Sequence, residues 1–272
     1  MFKIGTNIIG IGDAGAKAVT NSSKCNFTGA RLVTVGSSAN SKAEFACDSK
    51  IDFMAIAEKL YMSQADTSFV IADCAVPTDA ALCCEICAMS SRMKALTVAV
   101  VHIPSSKDGS YSSAMEYVEE LHEIADGVVV MNDGYIDKFD VEAARFLFAV
   151  SSACNVNAEK RIATYEELKE VFTQKNNIYF ASVKTNIQTD SHKYKAGCLA
   201  LCLDSQTYLD IATNLTYIIT SNGEADKNIL GEYINCVDKK NISYLSAKKL
   251  CVSQKDERLG KGEFMFSVLV SQ

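Results

Sequence analysis

The sequence contains no tryptophan and only two prolines, Pro77 and Pro104, so it has no proline-rich linker. Its three histidines, His102, His122 and His192, stand far apart with no evident nucleophile partner, which excludes a recognisable hydrolase triad. No apolar run approaches the roughly 18 residues that a membrane-spanning helix needs. No charged segment followed by a long apolar stretch opens the chain, so no signal peptide is expected. Both absences lead us to expect a cytoplasmic protein without direct membrane insertion. Repeats and low-complexity tracts are missing too. The formal net charge is −6, and the densest basic group (Lys239, Lys240, Lys248, Lys249) is interrupted by apolar residues, so no nucleic-acid partner is expected. Cysteine, by contrast, is plentiful at 11 residues. Cys83-Cys84-x-x-Cys87 falls on a predicted helix near Cys74, but no second C-x-x-C pair exists, so we read these as buried packing residues and expect no metal site.

What is present is a regular alternation. Nearly continuous apolar runs at Asn7–Ile11, Arg31–Val35, Ser68–Ala72, Thr97–His102 and Gly127–Met131 have the character of strands buried on both faces. Helical patterns lie between them at Gly15–Ser23, Asp52–Met62, Thr78–Arg92 and Ser113–Ile124, the last with Met115, Val118, Leu121 and Ile124 on one face. This order predicts a doubly wound, mostly parallel, Rossmann-like sheet. Val141–Cys154 reads as a further helix with no strand directly after it. Strands are then predicted at Ile178–Val183, Thr216–Thr220, Ile242–Val252 and Glu263–Val270, and helices at Leu199–Ala212 and Ala225–Val237. In the last strand Phe264, Phe266, Val268 and Val270 alternate with Met265, Ser267 and Leu269, which predicts a smaller mixed α/β domain. The expected organisation is a nucleotide-binding-type domain over 1–140, a connecting helix over 141–163 and a C-terminal α/β domain over 164–272.

Gly10, Gly12 and Gly15 form G-x-G-x-x-G between the first strand and the first helix. Glycine permits a tight turn and lets backbone N–H groups approach a phosphate at a helix N-terminus. A Rossmann dinucleotide site also needs an acidic residue at the end of the second strand. Here Val33-Thr34-Val35 runs into Gly36-Ser37-Ser38 instead. A nucleotide-dependent oxidoreductase therefore stays only as an alternative, beside a tight turn that binds nothing.

Taken with four further stretches, the turn resembles the first nucleotide loop of the FtsZ/tubulin superfamily. Ala95–Val101 with Pro104 and Gly109 is similar to the family's strand and loop after the phosphate-binding helix. Glu119-Glu120-Leu121 through Ala125–Asp133 is similar to its next helix and the strand ending in Asn-Asp. Leu215–Ile219 with Asn222-Gly223 resembles the I-T-G-G strand, and Asp256-Glu257-Arg258-Leu259-Gly260 the D-E-x-L-G-D turn. The pieces follow the family's order across nearly the whole chain. They imply a cytoskeletal or cell-division-related subunit that assembles head to tail with itself or another FtsZ/tubulin-like subunit. They also imply GTP or GDP as ligand, with Mg2+ where nucleotide is bound. By the same resemblance Gly10, Gly12, Asp13, Gly15, Thr78, Asn132 and Phe139 are the nucleotide-contacting positions.

The departures concern activity. Where the family has G-G-G-T-G-T-G, this chain has Asp73-Cys74-Ala75-Val76-Pro77-Thr78-Asp79-Ala80. Side chains crowd the cradle, and Asp13, Asp73 and Asp79 place negative charge where phosphates would lie, at about 1–4 kcal/mol per close like-charge pair. Thr78 is also a possible helix N-cap, with Asp79 favouring the helix dipole. Phe139 matches the aromatic that stacks on guanine, but the acidic partner one turn on is replaced by Ala143, leaving Asn132 for the base. In the family's catalytic N-x-D-x-x-D loop, Ile162, Thr164 and Glu167 replace the three key residues. Glu167 is the one carboxylate left for catalysis, and Thr164-x-x-Glu167 is equally a capping box. The expectation is weak GTP binding, or none, with impaired hydrolysis; a rebuilt but active GTPase site is the other alternative. The chain ends soon after the last predicted strand, without the division protein's adaptor-docking tail, so a divergent paralogue is expected.

Overall fold

Six consecutive buried residues form β1 (Thr6–Ile11), as a central parallel strand covered on both faces requires. The computed structural model describes residues 5–22, 25, 27, 30–36, 43–46, 56, 65–132, 138–155, 157–173, 176–188, 191–206, 209, 212–224, 226–240 and 247–271. The predicted helix at Asp52–Met62 lies outside these residues, apart from Ile56. By its internal packing the chain divides into two compact units: Met1–Ala144 with Phe172–Asn177, and Arg145–Val171 with Ile178–Gln272.

In the first unit β1 leads into α1 (Gly12–Asn21), β2 (Arg31–Gly36), β3 (Phe45–Ala46), β4 (Thr67–Asp73), α2 (Pro77–Arg92), β5 (Leu96–Ile103), α3 (Tyr111–Ile124) and β6 (Gly127–Asn132). Spatially its strands run β3-β2-β1-β4-β5-β6, every pairing parallel. The predicted strands appear within two residues of their expected ends. All eight residues of β5 are buried; at about 1.5–3 kcal/mol per buried Val, Leu or Ile, such strands dominate the stability of the sheet. The chain returns at Phe172, whose ring meets Phe69 edge-on at 5.8 Å between centroids. There Gly127 fits only because it lacks a Cβ, which would fall 2.3 Å from the Phe172 carbonyl oxygen.

The boundary between the units falls inside α4 (Phe139–Ala153). Beyond it come α5 (Tyr165–Phe172), β7 (Ile178–Asn186), α6 (His192–Gln206), β8 (Asn214–Ser221), α7 (Lys227–Asp238), β9 (Ala247–Ser253) and β10 (Glu263–Ser271). Strands of the second unit run β7-β10-β8-β9, with β10 antiparallel to both neighbours and β8 parallel to β9. This is the expected smaller mixed sheet. Phe264, Phe266, Val268 and Val270 do share a face, packed with Tyr217 and Ile219 against Leu199, Leu203, Tyr233 and Val237 of α6 and α7. Met265, Ser267 and Leu269 are buried as well, so β10 is covered on both sides.

Helix α6 begins seven residues before its predicted start at Leu199. Its inner positions are Ala196, Leu199, Ala200 and Leu203, a helical repeat that the apolar but exposed Leu201 obscures in the sequence. The turn at 256–260 is anchored to α4 by Arg258. The Arg258 guanidinium binds both carboxylate oxygens of Asp256, donates to Ser151 Oγ (2.9 Å) and Ser152 Oγ (2.7 Å), and lies 4.3 Å from the Phe148 ring centroid. No helix among the described residues is long and apolar enough to cross a membrane.

Candidate functional site

Strand order reverses between β1 and β4, so the C-terminal ends of these strands and the starts of α1 and α2 frame the crevice where open α/β sheets take ligands. Helix α1 begins at Gly12, directly after β1, with Ile11 as N-cap and no side-chain cap. The three glycines serve different purposes. A Cβ on Gly10 would lie 2.2 Å from the Gly15 carbonyl oxygen, and one on Gly15 would lie 2.5 Å from the Ile71 carbonyl oxygen, so this pair is demanded by packing between backbones. Gly12 has φ +64°, the left-handed conformation that glycine adopts without strain.

The β4–α2 connection satisfies its own backbone donors. Cys74 N–H donates to the His102 carbonyl (3.0 Å), Ala75 N–H to the Asp73 carboxylate (2.9 Å) and Val76 N–H to the Asp73 carbonyl (3.1 Å). Pro77 has no N–H to offer. The sequence expectation of Thr78 as N-cap is corrected here: Val76 is the N-cap and Pro77 the first helical residue, so Thr78 lies one position further in and is exposed. Proline prefers the first helical position because its missing N–H has no partner there anyway. Asp79 falls in the first turn, as expected.

Three carboxylates crowd this end of the sheet. Burial first, then the negative charges of Asp73 and Asp13, raise the Asp79 carboxyl above its ordinary range. Asp73 is also partly buried, which opposes ionisation, but His102 and the Ala75 N–H bond its carboxylate, and the net shift is downward. His102 Nδ1 lies 2.8 Å from Asp73 Oδ1, and its ring packs 5.4 Å from that of Phe139 at 35°. The sequence reading missed this pair. Parallel register gives the signal that could have found it, because Asp73 and His102 are cross-strand partners at the ends of β4 and β5.

The predicted base-site residues fall nearby. Asn132 ends β6 beside Ile103, half-buried. Phe139 opens α4, is 8% exposed and packs on His102. Ala143 is fully buried, while Glu142, one of the two acids of this first turn beside Asp140, is itself 6% exposed. Glu167 belongs to the second unit, where it forms the capping box. Its carboxylate accepts from Ala163 N–H (2.6 Å) and Thr164 N–H (3.0 Å), and Glu167 N–H donates to Thr164 Oγ1 (3.1 Å). The Ala163 hydrogen bond, with that from Thr164, holds the Glu167 carboxyl below its usual range.

Cys74, Cys83, Cys84 and Cys87 are buried. Burial pushes the Cys84 thiol up to about 12, which keeps it protonated at neutral pH. Among the described residues no group of three or more ligating side chains is placed to hold a metal ion. A cleft of about 270 Å3 in the second unit, lined by Val171, Ile178, Lys249 and Leu269 among others, includes none of the predicted site residues.

In the β4–α2 connection the N–H groups of residues 74–76 are bonded within the chain, and Asp13, Asp73 and Asp79 bring three carboxylates together, a negatively charged setting with few donors to offer a phosphate.

No family model matches the sequence, and no curated protein does. Solved structures do. FtsZ W319Y from M. jannaschii superposes with a TM-score of 0.79 over 99% of this chain and 91% of that one, at 14% identity. TubZ of Bacillus thuringiensis serovar israelensis, in GDP-form protofilaments, gives 0.68 over 99% and 87%, at 10% identity. CetZ2 from Haloferax volcanii, a GTPgS-bound protofilament, gives 0.68 over 98% and 93%, at 11% identity. This chain has the FtsZ/tubulin fold.

Proposed function

We propose that this protein is an FtsZ/tubulin-like cytoskeletal subunit that assembles with itself or a like subunit, binds GTP or GDP weakly, and hydrolyses GTP poorly or not at all. The observation that carries the reading is the β4–α2 connection, whose N–H groups at residues 74–76 are already bonded within the chain. A phosphate cradle works through free donors. Assembly is supported by the fold and by the solved relatives, which include an FtsZ dimer and protofilaments of TubZ and CetZ2. In a head-to-tail arrangement the Thr164–Lys169 helix start meets the next subunit's Gly10–Gly15 turn, a heterologous contact that propagates. With its carboxylate engaged in the cap, Glu167 serves this contact rather than water activation.

Calorimetry with GTP and Mg2+ tests the nucleotide part. A dissociation constant well above micromolar is expected, and a submicromolar one, more than about 8 kcal/mol, overturns it. Sedimentation tests assembly: Glu167→Lys and Lys169→Glu reduce pelleting, alone or with an FtsZ-like partner. A parent that stays monomeric with every relative tried removes the filament reading.

A further inference from the structure

The first phosphate turn already carries an anion of the protein's own. A Cβ built on Gly12 would fall 1.9 Å from Asp79 Oδ2, 2.5 Å from Cγ and 2.8 Å from Oδ1, so the whole Asp79 carboxylate is seated over this glycine. Gly12 is the first residue of α1, and Asp79 lies in the first turn of α2. The positive ends of two helix dipoles therefore border one carboxylate. A simple helix cap accepts a backbone N–H, yet among the described residues no N–H or O–H donates to Asp79. Asp13 is on the same turn, but the three atoms nearest that Cβ position all belong to Asp79.

We infer that Asp79 is a resident occupant of this turn: its carboxylate fills the space over Gly12 that a phosphate would need, and a phosphate ligand binds only by displacing it. The inference rests on the reading of the turn as a nucleotide-type phosphate site. It adds that one side chain, rather than the diffuse negative field of Asp13, Asp73 and Asp79 together, sets the affinity. The ligand class is a pyrophosphate group, free or as part of a nucleoside diphosphate.

The test compares the parent with Asp79→Ala, Asp79→Asn and Asp13→Asn, titrating each with GDP and, separately, with inorganic pyrophosphate in the presence of Mg2+. Asp79→Ala is expected to bind both probes about tenfold tighter than the parent, and Asp79→Asn tighter by a smaller factor because the amide still fills the space. Asp13→Asn should gain less than about threefold, the effect of one partly screened charge. Equal gains from Asp13→Asn and the Asp79 variants overturn residence in favour of the diffuse field. No gain from either Asp79 variant overturns it outright, leaving the weak-binding reading intact. A parent that binds tightly overturns that reading instead, whatever the ratios. Thermal melts accompany the titrations, and Asp79→Asn, which changes no heavy-atom count, keeps the test decisive if the alanine variant is poorly folded.

Discussion

Asp79 and Glu167 occupy the same kind of position, the third residue of a helix, and meet opposite fates. At the start of α5 the carboxylate closes a reciprocal capping box and is held ionised by two backbone N–H groups. At the start of α2 it accepts no hydrogen bond among the described residues, faces Asp13 and Asp73, and is pushed toward its protonated form. The helix dipole favours both equally. The difference therefore comes from what surrounds the helix end. A cap reduces the cost of ending a helix, whereas a carboxylate left unbonded among like charges raises it. Arrangements of the second kind concentrate at functional sites.

The largest expected effect extends the comparison to a third carboxylate. Arg258→Ala leaves Asp256, only 5% exposed, without its guanidinium. The loss should be about 3 kcal/mol in a denaturant melt, since a buried charge stripped of its partner is costly. A loss under about 1 kcal/mol would mean the site rehydrates freely.

Next comes Gly12→Ala. It puts a Cβ into the Asp79 carboxylate and a side chain at positive φ, and should cost about 1–3 kcal/mol. Combined with Asp79→Ala the cost should fall to the backbone part, about 1 kcal/mol. Strict additivity in that double-mutant cycle would show that the two groups do not touch.

Smaller still, Thr164→Ala or Glu167→Ala removes half of the capping box and should cost about 0.5–1 kcal/mol, with the double variant costing less than the sum.

The smallest effect has the opposite sign. Asp79→Asn should stabilise the fold by a few tenths to about 1 kcal/mol near neutral pH, the half-exposed carboxylate being partly screened by solvent. Its pH dependence separates it from Glu167. The Asp79 carboxyl titrates higher in the folded chain than in the unfolded one. Its favourable contribution is complete below the unfolded value of 3.8 and is lost as pH rises through the folded value. The Glu167 carboxyl titrates lower when folded, so its contribution is complete above 4.5 and is lost as pH falls through the folded value. The gain from Asp79→Asn should therefore vanish at about pH 3, where the loss from Glu167→Ala should also shrink. Melts across that range check both slopes.

Alternation and glycine spacing made the fold legible. Val98 to Val101 and Val128 to Val130 read as buried strands because only a doubly covered parallel sheet takes such runs. Gly10, Gly12 and Gly15 marked the turn, and Thr164-x-x-Glu167 marked its cap. The seat of Asp79 over Gly12 was not legible, because they stand 67 positions apart and only tertiary packing joins them. Nor was the Asp73–His102 pair, which depends on the register between β4 and β5. Val76 was passed over as an N-cap because the rule looks for an oxygen-bearing side chain, whereas Pro77 fixes the boundary through its ring.

The return of the chain at Phe172–Asn177 bears on how this protein could be dissected or recombined. The first unit is discontinuous, completed by six residues that follow α4 and nearly all of α5. A fragment cut after Ala144 would lack the ring packed on Phe69 and the backbone against which Gly127 is fitted. Modular exchange with a relative therefore has to transplant two separate stretches at once, and a single crossover within α4 would leave a mismatched seam.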